Sequence, residues 1–291
     1  MKKWTMIIVL LLIIIFSTLV WIEYDIDKTR SKYQQDFTLS GEGILVLNYH
    51  RIRYSSPLVK VLDKSTMFYT KDAELLLYSV YKDEFKEQIM YLIKNGFHFI
   101  TPDELKKYIN NELSFPQKSA LITFDDVDIS VYENAFPFLL ENQIPFTLFI
   151  ITGEVGNPDF KGLQLATWDQ IIEMKESGLA TIGTHTHKMH YLDKKLNPPF
   201  LNNSNMADFK QDTQLTIGTV EEKLGIVPLY YAYPYGFGMP ETDDIVLKAG
   251  YELIFTLKPG VVERGASSFF IKRVLITKDT WKNIVKWVES Y

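Results

Sequence analysis

Residues 120–126 read "ALITFDD": five residues suited to a buried strand, closed by two adjacent carboxylates. A short apolar run without polar alternation marks a strand covered on both faces, the kind used by parallel sheets. The same unit recurs in both directions along the chain. Upstream, "ILVLNY" (44–49) and "FHFIT" (97–101) read as strands. Between them "DEFKEQIMYLIKNG" (83–96) sets Phe85, Ile89, Leu92 and Ile93 on one helical face and stops at Gly96. Thr101 and Glu104 form a capping box, with Pro102 at the first helical position. Downstream, "PFTLFII" (145–151), "ATIGT" (180–184), "LYYAYP" (229–234), "YELIFTL" (251–257) and "FFIKRVLI" (269–276) read as strands. Helical patterns fill the intervals at 131–143, from the Thr167/Gln170 cap to Gly178, at 206–224, at 243–250 and at 280–290. Seven or eight strand-then-helix units without a hinge predict one α/β domain, best explained by a (β/α) barrel. The connection from Arg51 to about Lys82 is long for a compact domain, and such loops often act as lids or binding loops.

Polar residues gather where these strands end. His50 follows the first strand, Asp125 and Asp126 the third, and His185, His187 and His190 follow "ATIG". Tyr235 and Gly236 follow "YAYP", and Arg273 lies in the last strand. Barrels of this class place their active sites at the carboxyl ends of their strands. Each feature has a plainer reading: paired Asp residues cap helices, histidine-rich loops are often solvated, and His98, between Phe97 and Phe99, suits a structural role. Their joint occurrence points to chemistry. One carboxylate and two imidazoles on a rigid scaffold form a three-donor metal site with a position left for water. Aromatics near these ends, Tyr49, Tyr233 and Phe237, are candidates for substrate binding.

Composition narrows the class further. The 291 residues carry no cysteine, so disulfides, thiol catalysis and thiolate metal sites are excluded. A net charge of −5 argues against a nucleic-acid partner, which requires clustered Lys and Arg. At the N-terminus, Lys2 and Lys3 precede an uncharged run from Trp4 to Ile22, and Glu23, Asp25 and Asp27 follow it. The run is long enough to cross a bilayer, and its charge asymmetry keeps the basic end in the cytoplasm. Residues 1–23 therefore read as a signal anchor in preference to a cleaved signal peptide, 24–42 as an extracytoplasmic linker, and 43–291 as the catalytic domain. The expected location is extracytoplasmic, membrane-anchored or cell-surface associated.

"TFDD" (123–126), "HTHKMH" (185–190) and "YPYG" (233–236) together resemble the NodB-type polysaccharide deacetylases, carbohydrate esterase family four. The resemblance covers roughly residues 43–291 and implies a distorted (β/α) barrel of the NodB type. It also implies Asp125 as general base, Asp126, His185 and His190 as metal ligands, and the backbone N–H of Tyr235 as oxyanion donor. The metal implied is divalent, zinc first, with Co²⁺, Ni²⁺ or Fe²⁺ suited to the same donors. Several features depart from the general pattern. The ligand histidines are five apart instead of four, Val127 stands where most members have Gly, and "RVLIT" (273–277) lacks the C-terminal acid His. With "NYHRI" (48–52), these departures are similar to a circularly permuted subgroup acting on biofilm poly-β-1,6-N-acetylglucosamine. In that subgroup the general acid is the early histidine, here His50, and Arg273 becomes the candidate for orienting Asp125. The resemblance implies a partly cationic product, with polymer synthesis and export proteins as candidate partners. The alternatives are a peptidoglycan or chitin-oligosaccharide deacetylase and, in another class, a non-catalytic glycan-binding module.

Overall fold

The computed structural model describes residues 37–56, 78–114 and 118–290, with isolated helical positions at 6, 10, 13 and 17. Most of the apolar N-terminal run, most of the linker and the middle of the long 51–82 connection lie outside the described residues. Among the described residues, no helix is long and apolar enough to cross a membrane. The chain divides into two compact units, residues 1–37 with 55–78 and residues 38–54 with 79–291, and the second holds the whole barrel.

The first strand, β1 (Leu45–Tyr49), is buried at every position, as its unbroken apolar run requires. A short pair follows, β2 (Arg51–Arg53) with β3 (Ser79–Tyr81), joined in parallel. The two ends of the long connection are therefore strands. Next come α1 (Lys82–Lys94), β4 (His98–Phe99), α2 (Pro102–Ile109) and β5 (Ser119–Asp126). The capping box at Thr101 forms as its sequence predicts, Glu104 accepting from the Thr101 N–H at 2.8 Å. The stretch 131–143 is less regular than its pattern suggests: a π-helical turn (Val131–Ala135) runs into α3 (Phe136–Glu141). Pro137 has no N–H to continue an α-helical ladder, so the regular helix starts beside it.

The chain continues through β6 (Phe146–Ile150), α4 (Trp168–Glu176), β7 (Ala180–Thr184), α5 (Met206–Leu224) and β8 (Tyr230–Ala232). It ends with α6 (Pro240–Lys248), β9 (Leu253–Phe255), β10 (Val274–Leu275) and α7 (Lys278–Glu289). The main sheet is ordered β10-β1-β5-β6-β7-β8-β9, with β4 beside the start of β5, and its pairings are parallel. The predicted strand at 269–276 is mostly not a strand. Phe269 and Phe270 are exposed, and only Val274–Leu275 joins the sheet regularly. The stretch between closes the ring. Ile271 exchanges backbone hydrogen bonds with Ile254 and Thr256 of the β9 edge at 2.9 Å each. A few residues on, Val274 and Leu275 pair with Leu47 and Asn48 of β1.

The barrel centre is filled by Val46, Leu121, Phe149, Ala232, Phe255 and Ile271, against which α2 packs Leu105, Tyr108 and Ile109. Gly183 of β7 shows how full this interior is. A Cβ there would lie 2.5 Å from the Phe149 ring and 2.9 Å from the Tyr230 carbonyl oxygen. Neither the strand nor the packed ring can retreat, so Gly183→Ala is expected to cost about 1–3 kcal/mol through overpacking. Urea unfolding measures this, and a loss within error of zero would show that the ring yields.

Candidate active site

β5 carries both carboxylates, but they reach the site differently. Successive strand residues point to opposite faces, so Asp125 and Asp126 would diverge in a regular strand. Asp126 and Val127 instead both adopt φ 63°, the left-handed region, which breaks the strand at the second carboxylate. That conformation is uncommon for Asp and an outlier for a β-branched residue. It is held by the Val127 N–H bonded to the Asp125 carbonyl at 2.7 Å and by the Ala166 N–H bonded to the Val127 carbonyl at 2.9 Å. The valine at this position thus occupies a backbone conformation that favours glycine.

Asp126 meets two imidazoles. His185 Nε2 lies 3.7 Å and His190 Nε2 3.2 Å from the same oxygen, Asp126 Oδ1. One donor atom from each of the three residues lies within 4.8 Å of the others, a group able to hold a metal ion. The donor set fits a divalent metal: one carboxylate and two imidazole nitrogens are a familiar ligand class. His185 is also prepared for coordination. Its Nδ1 lies 2.7 Å from the Ala232 carbonyl, so that nitrogen carries the proton and Nε2 keeps its lone pair. Burial pushes the His185 pKa down to about 4, which keeps the ring neutral. Burial works to raise the Asp126 pKa, but His190, His50 and His185 overcome it and hold the carboxyl well below its usual range.

Asp125 has a different partner. Arg273 is fully buried and grips it with two forked bonds, Nη1 to Oδ1 at 2.6 Å and Nη2 to Oδ2 at 2.8 Å. The guanidinium also donates from Nε to the Thr256 carbonyl at 2.9 Å, and its carbon lies 5.3 Å from the Phe149 ring centroid. Burial raises the Asp125 pKa most, but the Arg273 charge and hydrogen bonds, with His185 and His50, together outweigh it, so the carboxyl sits below its ordinary value. His50, at the end of β1, is 8 % exposed and feels both carboxylates. Burial lowers its pKa, Asp125 and Asp126 raise it, Arg51 and Arg273 lower it, and the balance is a depression.

The remaining sequence candidates separate. Tyr235 lies in the turn after β8 with φ 61°, its ring 5.1 Å from that of His190. Phe237 is exposed, so its ring is open to a ligand. Those of Tyr49 and Tyr233 are not: both are buried, Tyr49 bonded to Gln88 at 2.9 Å and Tyr233 to Asp243 at 2.7 Å. Their apolar bodies complete the core, and neither can stack on a sugar ring. His187 turns to Thr152, 2.9 Å away, and is outside the donor group. His98 is exposed on β4, beside the start of β5 and so away from Asp125.

Two residues join the site without any warning from the patterns read in the sequence. Lys161, at the tip of a tight turn, places Nζ 3.1 Å from the Tyr235 hydroxyl and 3.4 Å from His190 Nδ1. Asp212 reaches the histidine loop from α5. The only sequence signal for Asp212 is an acid on the buried stripe of an amphipathic helix. Nothing local marks Lys161.

A closed parallel barrel with a three-donor metal group and a second, arginine-held carboxylate at its strand ends defines a hydrolase-type site suited to a divalent metal. Comparison with known proteins makes the class specific. Residues 112–254 match the polysaccharide deacetylase family model. A poly-β-1,6-N-acetyl-D-glucosamine N-deacetylase of Staphylococcus aureus (strain MRSA252) is 33% identical over 242 residues, 83% of this chain and 81% of that protein. The enzyme of the same name from Staphylococcus epidermidis is 32% identical over 260 residues, 89% of this chain and 86% of its own. The solved structure of IcaB from Ammonifex degensii superposes with a TM-score of 0.77 at 38% identity, covering 87% of this chain and all of that one. The chain belongs to the polysaccharide deacetylase family.

The buried ion pair gives a direct test of the site's architecture. Arg273→Met leaves the Asp125 carboxylate buried and unpaired, with an expected loss of about 3–5 kcal/mol. Arg273→Lys keeps the charge but not the fork and is expected to fall between that variant and the parent. Denaturant unfolding reads both, and an unchanged midpoint in Arg273→Met would contradict the pairing.

Proposed function

We propose that this protein is a metal-dependent N-deacetylase that removes acetyl groups from poly-β-1,6-N-acetylglucosamine outside the cytoplasmic membrane. The observation that carries this reading is the meeting of Asp126, His185 and His190 around one point, with Asp125 beside them on the same strand. The substrate assignment is supported by the names of the two staphylococcal relatives and by the likeness to IcaB. The location is supported by Lys2 and Lys3 ahead of the uncharged 4–22 run and by the acids after it. The same segment would tether the enzyme to the membrane, near the proteins that make and export the polymer.

Asp126, His185 and His190 would hold the metal, which we assign as zinc, with Co²⁺, Ni²⁺ and Fe²⁺ as substitutes sharing the same donors. A divalent ion bound there supplies Lewis-acid charge, lowering the pKa of water and polarising the acetamide carbonyl. Asp125 accepts the proton of the attacking water. Its depressed pKa makes it a modest base, so its contribution is orientation: the Arg273 fork fixes both oxygens in place. The Tyr235 backbone N–H donates to the tetrahedral oxyanion. His50 protonates the departing amine. A depressed pKa makes its imidazolium a ready donor once the water's proton has reached it. Phe237 offers the exposed ring for the polymer.

Asp126→Ala is expected to reduce acetate release from β-1,6-linked N-acetylglucosamine oligomers to background and to abolish stoichiometric metal binding. Full activity in this variant would overturn the assignment. His50→Ala should lower kcat by about 10²–10⁴-fold with little change in KM, the range for loss of a general acid. Parallel assays on β-1,4 oligomers test the linkage: faster turnover of those would reassign the enzyme to chitin-like or peptidoglycan substrates.

A further inference from the structure

The chain between His185 and His190 is shaped by a carboxylate from another element. Asp212 sits on the buried stripe of α5 with Phe209, Thr213, Thr216 and Val220. Its Oδ2 accepts the backbone N–H of His187 at 2.8 Å, and its Oδ1 accepts that of Lys188 at 2.7 Å. Successive amides converging on one carboxylate make an anion nest with charge-assisted bonds, roughly twice as strong as neutral ones.

The end of β6 holds the same loop from the other side. The Thr152 N–H bonds to the Thr186 carbonyl at 3.1 Å, and the Gly153 N–H to the His187 carbonyl at 3.0 Å. Gly153 permits this approach, because a Cβ there would lie 2.5 Å from the His187 carbonyl oxygen. Between the two grips, Thr186 is held at φ 72°, which a β-branched residue adopts only when its surroundings enforce it. Met189 is turned inward, 7 % exposed, into a cluster with Phe200, Phe209 and Tyr231. A ligand four residues after His185 would fall at this buried position. The chain needs one residue more to bring an imidazole back to Asp126, and the clamp fixes the path of that return.

We propose that Asp212 is a positioning residue of the metal site. By binding the amides of residues 187 and 188 it fixes the turn that sets His190 against His185, and thereby sets metal affinity. This rests on the reading of Asp126, His185 and His190 as ligands. Neither β5 nor β7 supplies the constraint, since both end before the loop begins. The clamp comes from α5, whose Phe209 packs in a cluster with Phe200, Tyr231, Tyr233 and Val246.

The test is Co²⁺ affinity of the full-length protein, read by competition with a chromophoric chelator and by the visible spectrum of the bound ion. Asp212→Ala removes both acceptors. Asp212→Asn keeps the shape but sets an N–H against one of the loop amides, and it carries the test if the alanine variant does not fold. Thr216→Val, on the same buried stripe and with its hydroxyl bonded only to the backbone of its own helix at 2.8 Å, controls for general loosening of α5. Both Asp212 variants are expected to bind Co²⁺ about 10–100-fold more weakly, with an altered spectrum, as for loss of an outer-shell contact. Thr216→Val is expected to lower the unfolding midpoint and leave affinity and spectrum as in the parent. Affinity within twofold of the parent in Asp212→Asn would overturn the proposal, as would an equal loss in Thr216→Val. Failure of the parent chain to bind Co²⁺ would overturn the ligand reading, and the clamp with it.

Discussion

An arginine with no solvent exposure ties the last segment of this chain to the strand at its chemical centre. Arg273 reaches Asp125 and Thr123 on β5 and the Thr256 carbonyl just beyond β9, from a position immediately before β10. The segment that closes the barrel is thus joined through one side chain to the strand that carries the carboxylates. Burying two charges is costly, and a pair of this kind is weak evidence for stability relative to an apolar replacement. Its value here is geometric. A forked, planar contact admits one orientation of the carboxylate, and the rings of Phe149 and Phe255 flank the guanidinium and restrict it further.

Strain is concentrated around that fixed point. Asp126, Val127, Thr186 and Tyr235 all hold positive φ without being glycine, and all lie where strands give way to the site. Each turns the chain more sharply than a strand allows, bringing side chains of different strands to one opening. Such conformations persist when neighbouring hydrogen bonds over-determine them, as for Val127 and for the 186–188 stretch. The rigid barrel makes this affordable, because the strands before each turn are buried along most of their length.

The barrel was legible in the sequence because a parallel strand covered on both faces is a local pattern, and "ALITF" or "PFTLFII" needs no partner to declare itself. The gathering of Asp125, Asp126, His185 and His190 was legible for a related reason: strand ends are fixed by the same pattern, and barrel topology brings them together. The failures follow the same logic. Residues 269–276 are apolar enough for a strand, yet only two of them find a regular partner across the ring. Tyr49 and Tyr233 sit at strand ends, but which way a tyrosine points there depends on Gln88 and Asp243, residues of other elements. Asp212 and Lys161 are invisible for that reason too, since their roles exist only after α5 and the turn at 161 have docked.

The role proposed for His50 shows why motif order in the chain matters less than position in the ring. The general family carries its acid in a C-terminal motif, and this chain has Thr277 near that place, where it caps α7. His50 comes instead from β1, at the far end of the domain in sequence. In space the two strands are neighbours: Asn48 pairs with Leu275, and two residues further along each strand lie His50 and Thr277. A closed parallel barrel has no first strand, so an imidazole at the end of β1 and one at the end of the strand beside it approach the same opening. What must be preserved is its level above Asp125, and the parallel register of β1 with β5, Tyr49 opposite Phe124, keeps His50 beside that carboxylate. In the proposed mechanism, moving the acid across one strand boundary changes the order of the motifs and leaves the electrostatic problem at the site the same.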